Sequence, residues 1–197
     1  MRPFVTLIST TTLKIVKQVT FDGTNGTPDT SAGGIGSVLY DSRANRFLIS
    51  IPEVGSDLTA GAVAVMDPSK GEVTQVISGL NSCMPSGMAQ GPGDNVLVTC
   101  DPRFPAPDPV AFAPRTYVIN GSTGAILANL TQVGGVDYGA YNPTDHHYYL
   151  GAGLIRESTI LNSSEKAIVG VLVFGHRTKR NKGDQLLDTP KAVRQFR

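Results

Sequence analysis

Residues 63–77 read VAVMDPSKGEVTQVI, and residues 116–130 read TYVINGSTGAILANL. Each is an apolar run, a polar five-residue corner and a second apolar run. The corners are Asp67-Pro68-Ser69-Lys70-Gly71 and Asn120-Gly121-Ser122-Thr123-Gly124. An Asp or Asn opening such a corner bonds its own backbone two residues on, and a closing glycine supplies the left-handed conformation that other residues resist. Both stretches therefore predict antiparallel hairpins. A looser copy, TLISTTTLKIVKQV (residues 6–19), opens the chain with Leu13 at the glycine position. Gly124 follows Gly71 by 53 residues, and Gly71 follows Leu13 by 58.

A second unit lies between the copies of the first. It reads SVLYDSRANRFLIS (37–50), GMAQGPGDNVLVTC (87–100) and YGAYNPTDHHYYLG (138–151), so that Tyr40, Gln90 and Tyr141 align at spacings of 50 and 51. Two independent patterns repeating in step mark an array in which one supersecondary unit cannot bury its faces alone. Strands are expected at 35–40, 46–51, 62–66 and 72–77, then at 86–90, 95–100, 115–119 and 125–130. A third copy begins at 136–141 and 147–151 and continues at VGVLVF (169–174). Four-stranded antiparallel sheets repeated radially are the blades of a β-propeller. The expected fold is all-β: a partial propeller of about three to three and a half blades over residues 1–174. A tail, 175–197, belongs to no blade.

Composition agrees. Glycine and proline supply 35 of 197 residues, which works against long helices, and charged residues are only 17%, against about 25% in an average domain. No run approaches the ~18 apolar residues of a membrane span. The formal charge of +1 hides an asymmetry. The tail holds seven Lys or Arg and two Asp, but without interleaved aromatics it does not read as a nucleic-acid surface.

Propellers close with about 4–8 blades. The N-terminal hairpin reads as the outer pair of a blade whose inner pair must come from elsewhere. The expectation is a fragment, a truncated product lacking complementary blades, or a protomer that closes its ring as a homo-oligomer.

Four Asn-x-Ser/Thr sequons, at Asn25, Asn120, Asn129 and Asn162, exceed what nine asparagines would give by chance. They suggest an exported ancestor, although NGT and NGS are also ordinary turn sequences. The N-terminus has an apolar core of about five residues, short of a secretory leader. Cys83 and Cys100 read either as buried free thiols or as a disulfide, the latter only if their Cα atoms come within about 7 Å.

The pattern V-x-V-x-D-x-x-x-G-x-V, with the inner-hairpin turns PGDN and NPTD, resembles the YVTN and gluconolactonase-like propellers of six or seven blades. That resemblance implies fold more than function, since its members include lactonases, surface proteins and plain binding modules. Relatives of the gluconolactonase type hold a channel metal with Glu, Asn and Asp. Glu53 and Asp101 each follow a second strand in equivalent blades, and Asp137 opens the third inner strand. The three would converge on calcium or another divalent cation if all faced one channel mouth. The plainer reading is that acidic residues end strands and begin turns, with no cofactor at all. The proline-rich stretch DPRFPAPDPVAFAP (101–114) could present Arg103, Phe104 and Asp108 as a ligand-binding lip. His146 and His147 point to opposite faces of a strand and read as structural.

No nucleophile–base arrangement, phosphate loop or zinc motif is present. The leading expectation is a non-catalytic binding or scaffold module with a small-molecule or protein ligand at the channel face. The alternative is a metal-dependent lactonase-type hydrolase, in which the cation activates water.

Overall fold

The computed structural model describes residues 2–101, 112–152, 154–155 and 170–175. Its strands, in chain order, are β1 (Phe4–Ile8), β2 (Ile15–Thr20), β3 (Val38–Asp41), β4 (Arg46–Ile51), β5 (Ala60–Asp67), β6 (Glu72–Asn81), β7 (Pro85–Gln90) and β8 (Asn95–Cys100). They continue as β9 (Thr116–Asn120), β10 (Ile126–Leu130), β11 (Val133–Gly134), β12 (Gly139–Asn142), β13 (His147–Ala152), β14 (Leu154–Ile155) and β15 (Gly170–Gly175). Among the described residues there is no helix.

The sheets follow the repeat. Blade I is the two-stranded sheet β1-β2, blade II is β3-β4-β5-β6, blade III is β7-β8-β9-β10, and blade IV is β12-β13-β15. The short pair β11-β14 stands beside blade IV. All pairings are antiparallel, and within blades I to III each joins strands consecutive in the chain, as meandering hairpins require. The inner strands β3, β7 and β12 lie next to one another, so the blades fan out from a common side.

Local chemistry explains the hairpins. Gly71 and Gly124 take φ of 60° and 79°, and Leu13 takes 55° at the same place in the degenerate copy. Each of the three donates its N–H at 2.8 Å to the carbonyl four residues earlier, on Asp67, Asn120 and Ser9. Those corner-opening side chains also cap the turn. Asp67 Oδ1 accepts from the Ser69 N–H, Asn120 Oδ1 from the N–H groups of Ser122 and Thr123, and Ser9 Oγ from that of Thr12. In the inner hairpins of blades II and IV the left-handed residue is Asn45 (47°) and His146 (59°). His146 thus closes a turn, with Nδ1 3.1 Å from the Tyr141 hydroxyl, while His147 sits beside Asp145.

Blade faces bury against each other, which removes apolar area at roughly 25 cal/mol per Å². Between blades II and III, Leu48, Val63, Val65 and Ile77 meet Met88, Val96, Val98, Tyr117 and Ile119. Ala89 and Leu97 of blade III face Tyr148, Leu150 and Ala152 of blade IV. Val5, Leu7 and Val19 of blade I pack on Ile49, Ile51, Ala64 and Met66 of blade II. Successive residues of β4 thereby serve two different interfaces, Leu48 one and Ile49 the other. That two-sided burial is why its sequence shows no polar alternation.

Three features differ from the sequence reading or resolve it. β3 begins at Val38 rather than 35, because residues 33–37 form a connector whose Gly36 lies against Ser50 Oγ and the Pro85 and Ser86 carbonyls. β6 runs on to Asn81, carried across a register shift that pairs Leu80 with Gly61 and Asn81 with Ala60. The cysteines are joined: Cys83 and Cys100 form a disulfide with Cα atoms 4.6 Å apart, both side chains buried, so the free-thiol alternative falls. Simple hairpin counting places Cys100 opposite position 86. A register shift between Pro85 and Met88, with Ser82 and Met84 at positive φ, brings residue 83 back over β8.

Candidate functional site

Two of the three carboxylates singled out in the sequence come together. Asp101 leaves the end of β8, where its N–H donates to the Met84 carbonyl at 3.3 Å. The Val136 N–H donates to the Cys100 carbonyl at 3.1 Å, which sets Asp137 beside it. Their carboxyl groups share a hydrogen bond. Burial, and then the neighbouring Asp137 as hydrogen-bond partner and like charge, push the Asp101 carboxyl up to about 6. Below about pH 6 the Asp101 carboxyl therefore keeps its proton where an exposed aspartate would already have lost it.

Glu53 is placed differently. It follows β4 as Asp101 follows β8, but it is only 1% exposed and lies under the backbone of Gly33. A Cβ on Gly33 would stand 2.6–2.9 Å from the Glu53 Cβ, Cγ and Cδ atoms. Among the described residues, no three His, Cys, Asp or Glu side chains stand where they could hold one metal ion, so Glu53 does not join Asp101 and Asp137 in one ligand set. Arg103, Phe104 and Asp108 lie outside the described residues, as do Asn162 and the basic tail.

A junction motif went unread in the sequence. The Ser86 carbonyl of blade III accepts from Ser37 Oγ (2.7 Å) and Ser50 Oγ (2.6 Å) of blade II. One blade further on, Thr99 Oγ1 donates to the Gly87 carbonyl at 3.0 Å and accepts from the Gly87 N–H at 2.8 Å. Gly87 itself lies against the Asp137 carbonyl, with no space for a side chain. Each junction thus sets a glycine, Gly36 in the connector before β3 or Gly87 on β7, close to a hydroxyl on the second strand of its own blade. The available signal was the glycine–hydroxyl pairs Gly36/Ser50 and Gly87/Thr99, spaced 14 and 12 residues.

The third feature is an unfilled edge. The Phe21 N–H bonds the Pro3 carbonyl, and residues in hydrogen-bonded register alternate along an antiparallel pair. Val5 and Leu7 therefore exchange bonds with Val19 and Lys17. The N–H and C=O groups of Phe4 and Thr6 point the other way, to an edge where no strand pairs among the described residues. Beside that edge, the β3 side chains facing blade I are uncovered: Val38 is 49% and Tyr40 48% exposed. Tyr40 leans on Phe47, ring centroids 5.0 Å apart, on the same face as the buried Ile49. In blades II to IV this position, inward of the third strand, is filled by the hairpins β3-β4, β7-β8 and β12-β13.

No protein-family profile matches the chain. No curated protein matches it either. Similar solved structures are propellers. The WD40 domain of Neurospora crassa Pan2 superposes with a TM-score of 0.55 at 13% identity, over 92% of this chain and 43% of that one. The Dos1 propeller superposes at 0.53 and 13% identity, over 88% of this chain and 36% of that one. The chain spans less than half the length of either, and at these identities the likeness is one of fold: an arc of β-propeller blades.

Proposed function

We propose that the arc is a non-catalytic, protein-binding scaffold that takes a β-hairpin against the open edge of β1. The observation that carries this reading is the outward-pointing backbone of Phe4 and Thr6 beside the uncovered Val38 and Tyr40, the latter resting on the half-buried Phe47. Backbone pairing would supply affinity, and the apolar face beneath would select alternate apolar side chains on the incoming strands. The fitting partner is an antiparallel hairpin with the alternation of the chain's own inner pairs. Kinship with the YVTN and gluconolactonase-like propellers in particular rests on the corner residues Asp67–Gly71 and Asn120–Gly124.

The test is a calorimetric titration with a synthetic copy of residues 138–151, the chain's third inner hairpin. Saturable binding is expected, together with its loss in Thr6→Pro. Proline there removes an outward N–H and one exposed side-chain contact from Gln18, so the blade I ladder and the melting temperature should hold. Equal binding by both proteins would overturn the reading.

The hydrolase alternative draws on the Asp101–Asp137 pair alone. A calcium-dependent rise in melting temperature that disappears in Asp137→Asn would favour it, since an ion binding only the folded form stabilises by mass action.

A further inference from the structure

We propose that Asn25 and Asn129 are sites of N-linked glycosylation and that the chain matures in an oxidising secretory compartment. The sequence offers the Asn-x-Thr pattern at both positions, and the structure separates these two asparagines from the third described one. Asn25 stands exposed at the tip of a turn closed by the Thr27 N–H on the Thr24 carbonyl, with φ of 51° and its Nδ2 donating at 3.4 Å to the hydroxyl of the equally exposed Thr24. Asn129 is exposed on β10, the outermost strand of blade III, far from the inner strands. Asn120 is half-buried, and its carboxamide is fixed against its own corner by the Ser122 and Thr123 N–H groups.

The disulfide is the independent observation. Cys83 and Cys100 are both buried and joined across a register shift, a pairing that forms and persists where thiols are not kept reduced. The same compartment holds the oligosaccharide donor. In the transfer, Asn Nδ2 attacks the anomeric carbon of a sugar on polyprenyl pyrophosphate. The Nδ2–C1 bond forms, the C1–oxygen bond breaks, the pyrophosphate leaves with its electron pair, and Nδ2 gives up one proton. A glycan at Asn129 would also shield the free outer edge of β10 and the exposed Ile126 and Leu127, which blunts edge-to-edge pairing.

The experiment expresses the full chain with Asn162→Gln, which removes the sequon outside the described residues, behind a secretory leader in glycosylating eukaryotic cells, and treats the secreted product with an amide-cleaving glycosidase. Two glycan increments are expected to disappear. Asn25→Asp, which tolerates the left-handed turn, should lack one and Asn129→Gln the other. Thr131→Ala should repeat the second result while leaving the asparagine in place. Alkylation of the unreduced protein should label neither cysteine. A secreted chain without glycan, a glycan lost only in Asn120→Gln, intracellular retention of an unmodified chain, or labelled cysteines would each overturn the proposal.

Discussion

Leu13 occupies a position that two other blades give to glycine, and it holds the same hydrogen bond in the same left-handed conformation. For a residue with a Cβ that conformation costs about 1–2 kcal/mol, and Leu13 is largely exposed, so packing returns little. Leu13→Gly is therefore expected to stabilise the chain by up to about 1 kcal/mol after glycine's own entropic cost, read as an increase in urea midpoint at unchanged slope. The Asp101 carboxyl carries a pH signature. Its folded-state value of about 6 lies above the unfolded value of about 3.9. The native state then binds the extra proton between them, and this contribution is complete below about pH 4 and lost as pH rises through about 6. Asp67, held low by the Ser69 hydroxyl and N–H, acts below that window. Asp101→Asn should flatten the fall in melting temperature from pH 4.5 to 7 and raise stability at pH 7. A slope equal to that of the parent would contradict the raised Asp101 value.

At the scale of elements, the corners were legible because their chemistry is local. Asp67, Asn120 and Ser9 bond their own turns, and residues four positions on set the backbone, so a window of five residues contains the whole cause. The repeat spacing then fixed which strands neighbour which. The disulfide was less legible, because it depends on an irregularity between Pro85 and Met88 that no hairpin count anticipates. Glu53 was misleading for a similar reason. A carboxylate after a strand reads as a rim residue, but Glu53 is buried, with Gly33, 20 positions away in sequence, close over its side chain. The disulfide closes a loop with a sequence separation of 17 that contains the whole β7-β8 hairpin. Removing it as Cys83→Ser with Cys100→Ser should cost about 3 kcal/mol through the freed unfolded chain. Chemical denaturation with and without reductant provides the check, and an unchanged midpoint would mean that the bridge constrains nothing.

For the whole molecule, what matters is that the shared cores among the described residues join each blade to its neighbour in the row. The Ser86 carbonyl links blade II to III, Gly87 lies against the Asp137 carbonyl at the approach to blade IV, and no comparable junction ties blade IV back to blade I among the described residues. A ring shares strain around its circumference, whereas an open arc behaves as a row of units with nearest-neighbour terms. The chain's function was the least legible level. The motifs describe how blades are built, and the open β1 edge becomes visible only when the filled positions in the other blades are set beside it.

The shared carbonyl of Ser86 has one more consequence, which concerns time rather than space. Two hydroxyls on one acceptor mean that blade II cannot leave blade III without giving up both bonds at once, so these two blades should open as a single unit. Backbone amides of Val63, Val65, Val96 and Val98, buried in their common interface, should exchange with deuterium at one slow rate set by that opening. Amides of β2, in the two-stranded blade at one end of the row, should exchange earlier by fraying. In Ser50→Ala the common rate should split, with blade II amides quickening ahead of those in blade III.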